Sequence, residues 1–195
     1  MKIRSGFVSN SSSSSFIVNS YKCDDSTEQN IKAFKAIYDR YIDEYGAFRY
    51  IPSSEFGWGL SKHNDIHSKF DWCCLMLWYH EHDATIFNKY YEVFFNVMKE
   101  IFPYMERFIY NDVYKPEDDE EYYDPTGYID HQSVHEENCS MFESEGDLRR
   151  FLFNDDAVIY VQNDNTNVSW DPETGKKVKF DWNTDTYVDW NSYED

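Results

Sequence analysis

The sequence FDWCCLMLWYHEHDATIFNKYYEVFFNVMKEIFP, residues 70–103, decides the fold of this chain. Its first ten residues, Phe70–Tyr79, are apolar on every side, which predicts a buried helix, with a central strand as the alternative. From Asp83 onward, apolar side chains recur at every third or fourth position until Pro103 ends the pattern. The stretch therefore predicts two consecutive helices that contribute much of one core.

A further helix is expected upstream of this stretch. Asp24, Asp25, Ser26 and Thr27 are residue types that cap helix N-termini. The apolar positions that follow repeat at helical spacing, and Gly46 is placed as the C-terminal stop of the helix. The residues assigned to this helical face are Ile31, Phe34, Tyr38, Tyr41, Ile42 and Tyr45.

The second half of the chain contains signals for strands. Ala157–Gln162 is rich in β-formers, and the segments 168–170 and 177–182 flank the turn sequence at 171–175, which predicts a C-terminal hairpin. Phe16–Tyr21 predicts an early strand, and Ser144–Phe153 predicts a short helix with Ser144 and Asp147 at its capping positions. We therefore expect an α+β fold: three to four helices against a small, mostly antiparallel sheet.

The composition is that of a folded chain with an aromatic-rich core. Aromatic residues make up 19 % of the 195 residues, and such a length is typical of one domain, so we expect a single domain over 1–195. An acidic, irregular insertion is expected at about 112–143, because Pro116, Pro125 and Gly127 interrupt regular structure there.

Charge is the strongest functional signal. The net charge is −19, and residues 112–147 hold thirteen acids against one base, Lys115. This charge disfavours direct binding to nucleic acid or to anionic membranes and favours a basic protein surface as the partner. A carboxylate-rich face interleaved with tyrosines can imitate nucleic acid, whereas a solvated surface that keeps the chain soluble is the alternative. The predicted partner-binding residues are Glu117, Asp118, Asp119, Glu120, Glu121, Tyr122, Tyr123 and Asp124.

The six histidines form a second candidate feature because they occur in close pairs. His63 and His67 are four residues apart, as are His131 and His135. Such a pair faces one way on a helix and can hold zinc, which would make the chain a metal-dependent hydrolase or a metal-stabilised protein. No established metal-binding motif frames these pairs, so chance pairing on a polar surface is the competing interpretation, and no cofactor is the default expectation.

The cysteines and the hydropathy pattern indicate the compartment. Cys23, Cys73, Cys74 and Cys139 lack the spacing of a small disulfide scaffold, so we expect buried free thiols. Neither a membrane-spanning run nor a complete signal peptide is evident, which predicts a cytoplasmic location.

The first eighteen residues, MKIRSGFVSNSSSSSFIV, carry a family resemblance. Five consecutive serines, 11–15, lie between the apolar clusters Phe7-Val8 and Phe16–Val18. This block resembles the opening of a family of small bacteriophage and bacterial proteins that has no assigned activity. The resemblance implies a role in phage–host conflict. Together with the charge, it predicts a non-enzymatic inhibitor of a basic, nucleic-acid-handling defence protein, such as a nuclease or a CRISPR-type complex. A phage assembly accessory is a further alternative.

Overall fold

The computed structural model describes residues 14–19, 26–57, 60–109, 127–129, 136–163, 168–171, 174–181 and 186–189. Three of the four α-helices described lie in the first part of the chain, and most of the strand residues come later, so the α+β class is confirmed. Among the described residues there are four α-helices, α1 Ser26–Tyr38, α2 Ile66–Tyr79, α3 Ala84–Ile101 and α4 Glu145–Phe153. Two 3-10 segments, Asp39–Tyr41 and Glu136–Phe142, accompany them.

Side-chain caps explain where three of these helices begin. The Asp65 carboxylate accepts a hydrogen bond from the Ser68 amide at the start of α2. Asp83 does the same for two amides of α3, and the Ser144 hydroxyl accepts from the Asp147 amide at α4. Each cap pairs an amide that has no partner within its helix. The predicted helical state of 70–79 and the predicted starts at Asp83 and Ser144 are therefore confirmed.

The first helix is shorter than its sequence pattern predicts. It ends at Tyr38, and Tyr41 lies in the following 3-10 turn. Gly46 is thus not the helix stop: it has φ +74 in the turn that enters the next strand. Asp43 forms that turn, because its carboxylate accepts hydrogen bonds from the Tyr45 and Ala47 amides, and such local bonds compete with helix continuation.

The strands are grouped in four small sheets. The strand bounds are β1 Ser14–Asn19, β2 Ala47–Arg49, β3 Glu55–Phe56, β4 Ser61–His63, β5 Arg107–Ile109, β6 Tyr128–Ile129, β7 Val158–Asn163, β8 Val168–Trp170, β9 Lys177–Asp181 and β10 Thr186–Asp189. Two of the sheets are antiparallel with three strands each, in the orders β1-β7-β4 and β10-β9-β8, and two are parallel pairs, β2·β5 and β3·β6.

The predicted hairpin and early strand are confirmed. Strands β8 and β9 pair antiparallel across a turn that Gly175 closes with φ +63, and β1 pairs antiparallel with β7. The predicted insertion at 112–143 contains two regular elements, β6 and the 3-10 segment 136–142, so it is not irregular throughout. Gly127 does not break structure there. It directly precedes β6, and a Cβ at this position would lie 2.9 Å from the Pro52 carbonyl oxygen.

The core is built from rings, as the composition predicts. Phe34 packs edge-on against Phe70 and Phe153, with ring centroids 5.0 and 5.4 Å apart, and thereby joins α1, α2 and α4. Trp72 is fully buried and meets Phe56 at 5.0 Å. Edge-to-face ring pairs stabilise a core beyond the area they bury. Within the described part of the chain, no helix is long and apolar enough to cross a bilayer.

Candidate functional site

The predicted partner-binding residues, Glu117, Asp118, Asp119, Glu120, Glu121, Tyr122, Tyr123 and Asp124, lie outside the described residues, but the structure describes both flanks of their segment. On one flank, the Ile109 carbonyl accepts a hydrogen bond from the Tyr50 amide at 2.9 Å. On the other, the Gly127 amide donates to the Pro52 carbonyl at 2.7 Å, and Tyr128 donates to the Ser54 carbonyl at 3.0 Å. Residues 110–126 contain seven acids and one base. The residues on both sides of this segment are therefore hydrogen-bonded to the same five-residue stretch, 50–54.

A buried carboxylate holds that stretch in place. Asp71 of α2 is fully buried, and its Oδ2 accepts hydrogen bonds from the Ser53 and Ser54 amides at 3.0 and 2.7 Å. Its Oδ1 accepts the Tyr50 hydroxyl proton at 2.5 Å. A buried carboxylate requires such partners because water is excluded from it. Asp71 thus fixes the stretch of backbone to which both flanks of the acidic segment are hydrogen-bonded.

The members of the first histidine pair do not share a helix. His63 lies on β4, where its Nε2 is 2.8 Å from the Ser61 hydroxyl and its ring packs on Phe56. His67 lies in the first turn of α2 and is bonded through Nδ1 to the Tyr38 hydroxyl at 2.7 Å. Burial lowers the pKa of His63, which favours its neutral form. The two rings therefore have separate sets of partners.

The structure does not describe the second predicted metal pair, His131 and His135. Among the residues that it does describe, no group of three or more His, Cys, Asp or Glu side chains is arranged to hold a metal ion. Zinc binding remains a prediction for these histidines.

A cavity of about 270 Å³ opens beside His67, next to the stretch 50–54. The His67 side chain is 52 % exposed, and its Nε2 lies 3.5 Å from the Ser53 hydroxyl and 3.6 Å from Asp71 Oδ2. The lining residues come from four separate parts of the sequence: Tyr41, Arg49, Tyr50, Ile51, Ser53, His67 and Ile109. A concave site with both aromatic and polar walls is the usual form of a small-molecule pocket.

The tyrosines behind His67 are kept protonated. Burial, and next the nearby Asp71 carboxylate, raise the pKa of the Tyr50 hydroxyl well above its usual range. Burial likewise raises the pKa of Tyr38. Since both hydroxyls retain their protons at neutral pH, they serve as fixed hydrogen-bonding groups and not as bases.

This arrangement does not match a serine hydrolase. In a Ser-His-Asp triad the carboxylate bonds to the histidine nitrogen that faces away from the serine, whereas Asp71 and Ser53 both lie near Nε2 of His67. The Ser53 and Ser54 amides, which would be candidates for an oxyanion hole, donate to Asp71 instead. The geometry does not support nucleophilic attack by Ser53.

Three cysteines are buried free thiols, as predicted: Cys73, Cys74 and Cys139. Cys23, for which the same was predicted, lies outside the described residues. Burial raises the pKa of Cys73 and Cys74 well above the usual value, so both remain unreactive thiols. Cys139 lies 3.4 Å from Nε2 of the buried His80. Because both of these groups are buried, the pair presents no accessible nucleophile.

Another titratable group in the core is Lys69, which is only 1 % exposed. Its Nζ donates to the Asn154 carbonyl at 2.8 Å, and this bond links α2 to the chain after α4. Burial lowers the pKa of Lys69 to about 8, although Asp155 and Asp65 partly oppose that shift. The lysine is enclosed by protein and has no route to a substrate.

Sequence reasoning did not identify Asp71, Tyr50 or Arg49 as site residues. The available signal was Asp71 itself, an acid in the otherwise apolar run 70–79, since buried acids need bonded partners. The partners are 17 to 21 residues away along the chain, and no local sequence pattern connects them to Asp71. No family model, curated protein or solved structure matches this chain.

Proposed function

We propose that this protein is an acidic, non-enzymatic interaction protein that binds and inhibits a basic, nucleic-acid-handling defence protein in the host cytoplasm. The observation that carries the proposal is the concentration of thirteen acids against one base in residues 112–147. A surface of this sign attracts a groove that normally holds nucleic acid, such as that of a nuclease or a CRISPR-type complex. The phage-family resemblance of the N-terminal block is consistent with an anti-defence role.

The anchoring of the acidic segment supports this proposal. Both flanks of 110–126 are hydrogen-bonded to residues 50–54, and the buried Asp71 fixes that stretch. The acids are therefore carried on a connection between two ordered strands, β5 and β6. Fixed ends reduce the conformational freedom that would be lost when a partner binds.

The aromatic residues of the segment supply a short-range contribution. Tyr122 and Tyr123 directly follow the acidic run 117–121. Charge pairs across an interface accelerate association and determine specificity, whereas buried tyrosines provide much of the binding free energy. We therefore assign electrostatic steering to the acids and anchoring to the tyrosines.

The test is a pull-down from host lysate with the tagged full-length chain, followed by mass spectrometry. The test variant neutralises the acidic run through Glu117→Gln, Asp118→Asn, Asp119→Asn, Glu120→Gln and Glu121→Gln. A matched control neutralises five exposed acids outside residues 112–147, so both variants have the same net charge; its substitutions are Glu28→Gln, Glu44→Gln, Glu81→Gln, Glu92→Gln and Asp156→Asn.

We expect the wild type and the control variant to capture one basic, nucleic-acid-binding complex, and the test variant to lose it. Raising the salt concentration or adding duplex DNA should release the complex, because both weaken a contact between an acidic surface and a basic groove. Equal capture by the test variant would contradict the proposal. Loss from both variants would indicate an effect of total charge and would equally contradict the assignment to this run.

A further inference from the structure

We propose that the cavity beside His67 is a binding site for a small aromatic anion, with its phosphate or carboxylate group at Arg49 and its ring against Tyr41 and Tyr50. The lining residues of this site come from residues 41–67 and Ile109, and the site is independent of the inhibitory function proposed above. The proposal rests on the charge, the ring geometry and the rigidity of the cavity walls.

Arg49 supplies the charge at the cavity wall. Its side chain is 46 % exposed, lines the cavity and is held through Nε, which lies 3.2 Å from Asp43 Oδ2. Asp43 is itself fixed by the Tyr45 and Ala47 amides, each at 2.9 Å. A guanidinium binds planar carboxylates and phosphates through paired hydrogen bonds, which makes arginine the usual residue for such groups.

The tyrosines provide the surface for a ring. Tyr41 and Tyr50 both line the cavity and pack edge to face against each other, at 86° with centroids 5.4 Å apart. Tyr50 is only 4 % exposed, so the half-buried Tyr41 provides most of the aromatic surface. The guanidinium of Arg40 lies 5.2 Å from the Tyr41 centroid and brings a second cation close to this wall. Ile51 and Ile109 complete the apolar lining. Aromatic rings prefer offset-stacked or edge-on contacts, and we expect the ligand ring to make such a contact with Tyr41.

The polar groups of the cavity wall are held in place by hydrogen bonds within the protein. The Tyr38 hydroxyl holds His67 through Nδ1, while Asp71 holds the Ser53 backbone and the Tyr50 hydroxyl. Asp71 has no exposed surface and does not line the cavity, so its charge is satisfied within the protein. A site whose groups are already fixed loses little freedom when a ligand binds.

The volume limits the size of the ligand. About 270 Å³ lies just below the range of roughly 300–1,000 Å³ that is typical of drug-sized molecules. One ring with one anionic group suits this space. Phenyl phosphate is therefore the probe, and inorganic phosphate and phenol, which each carry half of its features, are the comparison ligands.

The test is isothermal titration calorimetry on the full chain, with the histidine ring signals followed by NMR. We expect phenyl phosphate to bind with a Kd of about 1 mM or below and at least tenfold more tightly than either comparison ligand. The His67 ring signals should shift as the site saturates. Arg49→Met should weaken binding at least tenfold, because it removes the cation and keeps the apolar stem.

Arg107→Met is the matched control, because Arg107 is an exposed arginine of β5 that does not line the cavity. This variant should bind phenyl phosphate within twofold of the wild type. The five-acid variant of residues 117–121 should bind at least as tightly as the wild type, which separates this site from the proposed interaction surface. Absence of saturable binding up to about 10 mM would overturn the proposal, and so would equal weakening by Arg49→Met and Arg107→Met.

Discussion

The buried Lys69 gives a stability prediction with a calculable pH dependence. Its pKa falls from 10.5 to about 8 on folding, so the unfolded chain binds the proton more tightly than the native state. Below pH 8 the native state has to accommodate a buried charge, at a cost of about 3 kcal/mol, since each unit of pKa corresponds to about 1.4 kcal/mol. This cost diminishes as the pH rises from 8 to 10.5, so the Lys69 contribution makes the protein more stable toward alkaline pH.

The informative perturbation is Lys69→Met, which keeps an unbranched stem and removes the charge. Cys73 and Cys74 have raised pKa values and impose the opposite pH dependence, so the wild-type curve alone does not isolate the lysine. Lys69 slightly opposes the raised pKa of Cys73, but burial keeps both thiols protonated in the native state with or without the lysine, so the difference between variant and wild type cancels the cysteine contribution. We expect the stability of Lys69→Met relative to wild type to fall by about 1.5 kcal/mol between pH 7 and pH 9.2.

The assay is urea unfolding at both pH values, at constant ionic strength and with a reductant present, followed by tryptophan fluorescence. Trp72 is fully buried and reports on the core. Lys32→Met, on the exposed side of α1, is the matched control and should show no pH-dependent difference from the wild type. A difference for Lys69→Met that stays constant within about 0.3 kcal/mol would refute the reasoning, because Lys69 would then keep an ordinary pKa in the fold.

Three further predictions concern the anchor, the segment flank and the histidines. Asp71→Ala leaves the Ser53 and Ser54 amides and the Tyr50 hydroxyl without their acceptor, so urea unfolding should show a loss of about 3 kcal/mol or more; a loss below about 1 kcal/mol would mean that Asp71 is not the anchor. Gly127→Ala should cost about 1–3 kcal/mol, because its Cβ would meet the Pro52 backbone at 2.9 Å, and a neutral result in the same assay would contradict that contact. If His131 and His135 hold zinc, untagged protein should contain about one equivalent by elemental analysis and His131→Ala should lose it. Metal-free wild-type protein, with a Tm unchanged by a chelator, would remove this hypothesis.

Local sequence signals predicted the elements that depend on neighbouring residues. The caps Asp83 and Ser144, the apolar run 70–79 and the hairpin turn at 171–175 each lie within or beside the element they specify. The predicted end of α1 was wrong because helical spacing continued past Tyr38, whereas Asp43 formed a turn with the next strand. Where a side chain can support either of two local hydrogen-bonding arrangements, as Asp43 can, tertiary contacts determine which one forms.

Local sequence patterns could not predict the cavity or the parallel strand pairs. Strand β2 pairs with β5 across about sixty residues, and the spacing of apolar residues within a strand does not show which distant strand it pairs with. The cavity depends on this pairing because it brings Ile109 beside Arg49 and Tyr50. The sequence did identify His67, but as a partner of His63 and not of Tyr38 and Asp71.

The anchoring of residues 110–126 at a single five-residue stretch has an evolutionary consequence. When the two ends of a connection are already held together, a longer connection destabilises the fold only slightly, by about 0.6 kcal/mol for each doubling of its length. Any replacement of this segment has to keep the hydrogen bonds of its two flanks, Ile109 and Gly127, to Tyr50 and Pro52. Under the inhibitory function proposed above, a lineage in competition with a changing opponent can exchange the segment repeatedly while it retains the same flanks.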